Sequence, residues 1–425
     1  METIRLNSKP IVCALDIGST KVSILVAEAT SEGLKVLGQS FVKHGGVKQG
    51  AIVDIGMTSE AIKKAKREAE LSSGHDIKNI YVSIGGMNTR SFDSNGLAAV
   101  EGDEVKQIDI DNAMKTAKAV LLPEDREIIH ALPKEYTLDG LGEITNPIGM
   151  QGVRLESTVH IIAGTRSLFP NITKSVENAG LVVKDFVLQQ YASSLAVLTD
   201  EEKDLGVCLV DIGGGTSEWI IYKQGVVVAT GAVAIGGLNF TNDLSVGLRT
   251  SPANSERIKL EHGDCRAENV GDDFLEIQEV GSSAPRSVSK KTLADIIGPR
   301  ALETMSLIAE DIENSGFMTD LGAGIVFTGG GCKLKGLIEC GREMLDVPVK
   351  TAGPNLPTTT SDVLDTAENA CAAGLLHYAY SKLNIKKKKE TTKRGPAHKG
   401  ASSSATNAGD TFKSFGKQFK DFIGL

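Results

Sequence analysis

The sequence predicts an α/β protein of two related lobes, because one plan of strand, glycine turn and strand occurs twice. The first copy runs from Ile11 to Val26 around Leu-Asp-Ile-Gly-Ser-Thr, and the second from Gly206 to Ile221 around Val-Asp-Ile-Gly-Gly-Gly-Thr. The copies lie about 195 residues apart, which is far longer than a solenoid repeat and indicates a duplicated domain. Helical periodicity occurs between and after them, over Thr58–Ser73, Leu168–Ala179, Pro252–His262 and Leu293–Ser315.

Three further stretches complete the predicted organisation. Ala323 to Ile338 is typical of a buried strand, a glycine turn and then a helix. Residues from about Thr89 to His160 interrupt the alternation of strands and helices and indicate a separate insert on the first lobe. The globular part is expected to end near Leu383, since the segment from Lys386 to Asp410 has no apolar periodicity and is typical of a flexible linker.

The length and composition restrict the class of protein. A chain of 425 residues exceeds one ordinary hydrophobic core, and its 41% hydrophobic and 24% charged residues are typical of a soluble globular protein. No apolar run has the length needed to cross a bilayer, and the first ten residues do not form a secretory signal. The six cysteines are scattered without Cys-x-x-Cys spacing, so we expect a reducing cytoplasm with neither disulfides nor zinc.

The charge is distributed unevenly along the chain. The net charge is −8, but from Lys386 onward ten Lys or Arg residues face three Asp or Glu residues. The tail is therefore basic and the remainder of the chain strongly acidic. This asymmetry argues against nucleic-acid binding by the body and favours a tail that seeks an anionic surface.

The two Asp-Ile-Gly turns have the chemistry of a phosphate site. Glycine permits positive φ and brings backbone N–H groups close to phosphate oxygens, and the following hydroxyl groups add donors. Lys21 adds a compact positive charge, while Asp16 and Asp211 at the strand ends are suited to hold the water shell of Mg²⁺. A tight hairpin without a ligand is the alternative for either turn alone. The patterns of a P-loop and of a strand-linked Rossmann motif are absent.

Taken together, these motifs carry a family resemblance. Leu-Asp-Ile-Gly-Ser-Thr-Lys-Val, Val-Asp-Ile-Gly-Gly-Gly-Thr and Phe-Thr-Gly-Gly-Gly resemble the phosphate and adenosine motifs of the actin/Hsp70/sugar-kinase superfamily. Beyond them, most of residues 10–380 resembles the bacterial cell-division family FtsA. The stretches that carry this likeness are 146–162, 192–199, 204–208, 285–300 and 372–379.

The resemblance implies a two-lobed actin-like ATPase fold of duplicated ribonuclease-H-like domains, in which an insert of the FtsA type in the first lobe replaces the usual second subdomain. The implied divisions are a first lobe (1–86, 164–203 and 360–385) with an inserted interaction subdomain (87–163), a second lobe (204–237 and 299–359) with a smaller insert (238–298), a basic linker (386–410) and an amphipathic helix (411–425).

It also implies ATP with Mg²⁺ between the lobes. Glu256 and Lys259 match a Glu-x-x-Lys pair beside adenine and ribose, although the residues alone would indicate a solvated helix face. Gln189 matches a position that orients water in the wider superfamily, but a glutamine at a strand end is more often structural. We expect at most slow or conditional ATPase activity. The implied nucleotide contacts are Asp16, Gly18, Ser19, Thr20, Lys21, Asp211, Gly213, Gly214, Gly215, Thr216, Gly236, Gly237, Glu256, Lys259, Gly329, Gly330 and Gly331.

The last fifteen residues predict a membrane-binding helix. Their large apolar side chains follow helical spacing, which gives one apolar stripe flanked by lysines. Asp410 and Thr411 offer an N-cap, and Gly424 a stop. The alternative is a helix that docks on this protein's own core or in a partner's groove. The residues predicted to contact the membrane are Phe412, Lys413, Phe415, Lys417, Phe419, Lys420, Phe422 and Ile423.

The family resemblance implies a role and partners. The role is an actin-like polymer on the cytoplasmic face of the cell membrane at the division site, which ties the ring of the tubulin-like division protein FtsZ to an anionic lipid membrane. The implied partners are FtsZ, further copies of the chain and other division proteins, with FtsZ bound near Arg286 and Arg300. Two alternatives remain open: a small-molecule kinase of the same superfamily, and an actin-like pilus-assembly adaptor, which need not have the Phe-rich tail.

Overall fold

The computed structural model describes residues 10–282, 284–355 and 366–383. The predicted linker and the predicted membrane helix, with all eight of its membrane-contact residues, lie outside these ranges. Within the described residues, no helix combines the length and hydropathy needed to cross a bilayer.

The first lobe is a five-stranded sheet in the order β11-β6-β1-β2-β3. Alternate residues of β1 face opposite sides, so that Cys13 and Leu15 pack with helices α1 and α3 while Val12 and Ala14 pack with α4 and α10. The elements are β1 (Ile11–Ile17), β2 (Lys21–Thr30), β3 (Gly33–Lys43), the short pair β4 (Val47–Lys48) and β5 (Ala51–Ile52), α1 (Ile55–Ser73), β6 (Asn79–Ile84), α3 (Leu168–Asn178), β11 (Val182–Leu188), α4 (Gln189–Val197), α5 (Asp200–Leu205) and α10 (Ala370–Ser381).

The insert is a four-stranded sheet in the order β7-β10-β8-β9, covered by one helix. Its own small core includes Ile110, Tyr136 and Leu155. The edge strand β7 also reaches the second lobe, where the Ser91 hydroxyl donates to the carbonyl oxygen of Thr230 at 3.2 Å. The elements are β7 (Thr89–Ala99), α2 (Gln107–Lys118), β8 (Arg126–Leu138), β9 (Leu141–Ile144) and β10 (Arg154–Thr165).

The second lobe repeats the strand plan of the first. Its sheet has the order β14-β13-β12-β17-β18, with antiparallel β12-β13-β14 and parallel β12-β17-β18. The first lobe has the same arrangement in β1-β2-β3 and β1-β6-β11, so the predicted duplication is confirmed. The elements are β12 (Val207–Ile212), β13 (Ser217–Lys223), β14 (Val226–Val233), α6 (Gly237–Leu248), α7 (Pro252–His262), the hairpin β15 (Phe274–Gln278) and β16 (Pro285–Ser289), α8 (Lys290–Asn314), β17 (Ile325–Thr328), α9 (Leu337–Met344) and β18 (Val349–Thr351).

Helices α4 and α10 lie between the two sheets and share one apolar core with both. They cross so closely that a Cβ atom on Gly374 would lie 1.7 Å from the carbonyl oxygen of Ala192. Only glycine fits at this crossing, so the helices hold both lobes through direct backbone contact.

The sequence correctly predicted four helices, but it did not predict the interruption between β17 and α9. Each of the four helical stretches overlaps a helix of the structure: α1, α3, α7 and α8. After β17, however, the chain forms a 3₁₀ turn over Gly330–Lys333, and α9 begins only at Leu337. Gly336 has φ of 79°, a left-handed conformation that interrupts a continuous helix.

Candidate nucleotide site

Two equivalent hairpin turns lie at the ends of β1 and β12. In the first, the Gly18 backbone N–H donates to the carbonyl oxygen of Lys21 at 3.0 Å, and in the second the Gly213 N–H donates to that of Thr216 at 2.9 Å. The same hydrogen bond closes both turns, as expected for a duplicated hairpin.

The turns contact each other across the space between the lobes. A Cβ atom on Gly214 would lie 2.6 Å from Thr20 Cγ2, and one on Gly215 would lie 2.6 Å from Ser19 Oγ. The expectation that these glycines supply positive φ is wrong, because among the site glycines only Gly329 has φ in that range, at 88°. In the two hairpins glycine is required for close approach instead.

Two buried carboxyl groups lie directly behind the turns. The Ser83 hydroxyl donates to Asp16 Oδ1 at 2.8 Å, and the Ser193 hydroxyl donates to Asp211 Oδ2 at 2.6 Å. Burial raises the pKa of Asp211 to about 6, and the nearby Asp16 adds to the rise while Ser193 and Lys21 oppose it. Concentrated negative charge in a low-dielectric site favours a cation.

Glu218 is a third carboxyl group at this site, and sequence reasoning missed it. Its side chain is 1% exposed. Oε1 accepts a hydrogen bond from the Gly86 N–H at 2.6 Å, whereas Oε2 is buried without a hydrogen-bond partner. Burial, with the charge of Asp211, raises its pKa to about 8, so the group is mostly protonated at neutral pH. The available signal was an acidic residue directly before the apolar run Trp219–Tyr222 of a buried strand.

The third glycine turn closes the site beside Asp211. A Cβ atom on Gly329 would lie 2.3 Å from Asp211 Oδ1, and one on Gly331 would lie 2.3 Å from Ile212 Cγ2. Gly330 lies next to Glu368, whose Cβ atom would be 3.8 Å from an added Cβ. Close packing against the Asp211 strand therefore explains glycine at the outer two positions.

Lys21 reaches across the site to the start of α10. Its ammonium group donates to the carbonyl oxygen of Glu368 at 3.0 Å and lies 5.1 Å from the centre of the Phe41 ring. The carboxylate of Glu368 is in turn paired with Lys333 at 3.0 Å. Lys21, the predicted phosphate-binding cation, thus connects the first glycine turn with Glu368, just before α10.

Glu256 and Lys259, the pair predicted to lie beside adenine and ribose, belong to α7 of the second lobe. Lys259 is only 9% exposed, and its ammonium group donates to the carbonyl oxygen of Gly237 at 2.8 Å and to Thr241 Oγ1 at 2.9 Å. Glu256 lies 2.7 Å from the same ammonium group. The Gly237 N–H donates to the carbonyl oxygen of Gly213 at 2.9 Å, so the second turn packs on Gly236 and Gly237. The interpretation of Lys259 as part of a solvated helix face is therefore wrong.

The other predicted residues lie in different environments. Gln189 begins α4 beside Gly85. A Cβ atom added to Gly85 would lie 3.0 Å from the Cβ atom of Gln189. Arg300 is paired with Asp243 through two hydrogen bonds and with Glu303, whereas Arg286 is exposed and paired with Glu279 at 3.0 Å. The functions assigned to these three side chains stay predictions.

Comparisons with known proteins give the family. A family model described as "Cell division protein FtsA" matches residues 208–374, and one described as "SHS2 domain inserted in FTSA" matches residues 86–163. The cell division protein FtsA of Pseudomonas aeruginosa is 36% identical over 89% of this chain and 91% of its own length. That of Neisseria meningitidis serogroup B is 38% identical over 87% and 90%.

A solved structure agrees with these matches at the level of the fold. The PilM-PilN type IV pilus biogenesis complex contains a chain with a TM-score of 0.61 and 15% identity, covering 88% of this chain and 99% of that one. At this identity the likeness concerns the fold alone. The duplicated two-lobed architecture, the matched insert and the identities of 36% and 38% together show that this chain belongs to the FtsA family of cell-division proteins and has its actin-like fold.

Proposed function

We propose that this chain binds ATP with Mg²⁺ at the facing glycine turns, polymerises on the cytoplasmic face of the cell membrane at the division site, and tethers the tubulin-like division protein FtsZ there. The observation that carries the nucleotide part is the contact between two equivalent turns, Gly18–Lys21 and Gly213–Thr216, with Asp16 and Asp211 buried behind them.

The residues present fit a magnesium–nucleotide complex. Asp16 and Asp211 would hold the water shell of the ion, whose charge offsets that of the phosphates. The hydroxyl groups of Ser19, Thr20 and Thr216 and the backbone N–H groups of the turns would donate to phosphate oxygens. Gly236 and Gly237, with Lys259 and Glu256 beside them, would border the nucleoside.

Nucleotide would act mainly through the spacing of the lobes. The two turns are in van der Waals contact, so phosphate groups between them require the turns to separate. Gln189 and Glu218 both lie against Gly85. The glutamine amide is not basic, and Glu218 is mostly protonated at neutral pH because its pKa is raised to about 8, so neither is a ready general base. We therefore propose slow or conditional hydrolysis, with polymerisation as the principal consequence of binding.

The C-terminal sequence would supply the membrane attachment. Burying five large apolar side chains is worth on the order of 10 kcal/mol before the ordering of the helix is subtracted. Each nearby lysine adds about 1 kcal/mol on an anionic leaflet. Attachment of one copy would be modest and reversible, and polymerisation would strengthen it by avidity.

Truncation of the tail tests this attachment. We expect the full chain to co-sediment with anionic vesicles and a chain ending at Asp410 to remain in the supernatant, because the apolar stripe is removed. Phe419→Glu should weaken sedimentation in the same direction, and Ser403→Glu in the linker is the control for the added charge. Equal sedimentation of the full and shortened chains would contradict the proposal. Loss of ATP binding by Phe419→Glu would show that the helix docks on the protein's own core.

Two regions of the chain would bind different partners. We propose that residues 87–163 form the interaction subdomain for later division proteins, and that the smaller insert of residues 238–298 and the start of α8 contact FtsZ. Within that surface Arg286 is the better candidate, since it is exposed while Arg300 is held by Asp243 and Glu303. The pilus-adaptor alternative has only a fold likeness at 15% identity behind it.

A further inference from the structure

A cavity of about 600 Å³ lies where the insert meets both lobes. Its walls come from α2 and β8 of the insert, α4 and α10 of the first lobe, and the turn between β13 and β14 of the second. None of its lining residues belongs to the three glycine turns. Its volume is within the range of about 300–1,000 Å³ that is usual for sites of small organic ligands.

The interior of this cavity is aromatic and uncharged. Burial raises the pKa of Tyr191 to about 12, and burial lowers that of His130 to about 3, so both rings are neutral at pH 7. His130 Nε2 already accepts a hydrogen bond from the Leu188 N–H at 2.9 Å, and the Tyr222 hydroxyl is paired with Ser194 at 2.8 Å. The interior therefore suits an apolar body and offers little to a polar one.

The rim, by contrast, is cationic. Lys115 and Lys118 stand on the exposed face of α2, and Lys382 follows α10 on the other side, with its ammonium group 4.8 Å from the centre of the Tyr378 ring. Asp111 is the one acidic residue among those that line the cavity. None of the three lysines has a carboxylate within 4.0 Å in the described part of the chain. Among the described residues, an anionic group at the rim would therefore compete with no carboxylate for Lys115 and Lys118, and with the Tyr378 ring alone for Lys382.

We propose that this cavity binds a soluble single-chain anionic amphiphile, with its apolar part between the aromatic walls and its phosphate or carboxylate group at the rim lysines. Such a ligand contacts the insert and both lobes at once. It binds more tightly to the arrangement seen here than to one in which the insert has moved, and so it stabilises the insert against the lobes.

Titration calorimetry on the full chain tests the proposal, with decyl phosphate below its micellar concentration as the probe. We expect saturable binding of one molecule, and binding at least about tenfold weaker for decyltrimethylammonium, which has the same chain and the opposite charge. Lys118→Glu should weaken decyl phosphate about tenfold, while Lys174→Glu on the exposed face of α3, outside the cavity, should not. Ala131→Phe should abolish the site by filling it, with thermal melting and ATP binding as checks on folding.

The basic tail is present in every variant and favours the anionic probe equally in all of them, so the difference between Lys118→Glu and Lys174→Glu isolates the contribution of the cavity. Equal binding of the two probes, or no effect of both Lys118→Glu and Ala131→Phe, would overturn the proposal. If Lys118→Glu instead lowers sedimentation with anionic vesicles and leaves decyl phosphate binding unchanged, the rim contacts a bilayer and the soluble ligand is wrong.

Discussion

Replacing Asp211 with alanine is expected to lower the affinity for Mg²⁺–ATP by about 10- to 100-fold, measured by titration calorimetry. Asp211 is buried at the end of β12, within contact distance of the third glycine turn and with the Asp16 charge nearby. Alanine removes the charge that would hold the ion's water shell, and the expected loss is that of a charge-assisted interaction.

The control variants separate this loss from a general loss of folding. Asp211→Asn keeps the size of the side chain and the hydrogen bond from Ser193 but removes the charge, so its ATP affinity should fall nearly as far while melting stays close to that of the unmodified chain. Asp295→Ala, at an exposed position on α8, should leave affinity unchanged. Retention of full affinity by both Asp211 variants would exclude this carboxylate from the site.

Replacing Glu218 with alanine is expected to lower the free energy of unfolding by on the order of 2–3 kcal/mol, measured by urea denaturation. Alanine leaves the buried Gly86 N–H without its 2.6 Å partner and opens a cavity between the lobes. Glutamine should be tolerated within about 1 kcal/mol at pH 7. It matches the shape of the protonated acid, keeps an acceptor for Gly86 and, like that acid, carries an unpaired donor.

The comparison of alanine with glutamine reports the protonation state of Glu218. If glutamine lowers the free energy of unfolding as much as alanine does, the carboxyl group is ionised in the folded protein. That result would contradict a raised pKa for Glu218. Glu310→Ala, at an exposed position on α8, is the control for loss of an acidic side chain and should change stability little.

The sequence located the parts of the site that depend on local pattern. Asp16 and Asp211 were found because each ends an apolar strand before a glycine turn, and the repetition of that plan required a duplicated lobe. The contact of Thr20 with Gly214 confirms that the two turns face each other. Predicting these features requires only the pattern of neighbouring residues and the symmetry of a duplicated fold.

Features that depend on distant residues were not found. The partner of Glu218 is Gly86, 132 residues away in the chain and in the other lobe, and no local pattern relates the two. The reason for glycine in the hairpins was also misjudged, since close approach between lobes rather than positive φ requires it. Without the family resemblance, the residues around Lys259 indicated a solvated helix face, but α6 covers this side chain. Tertiary packing decides each of these cases.

Hydrogen exchange of the full chain with and without millimolar Mg²⁺–ATP tests the central claim most directly, because it reports both binding and location. We predict slower exchange in three segments that are far apart in the chain: 17–21, 212–216 and 328–332. The segment 107–118 of the insert should serve as the internal reference and remain unchanged. Unaltered exchange in all three glycine turns at saturating ATP would contradict a nucleotide site between the lobes.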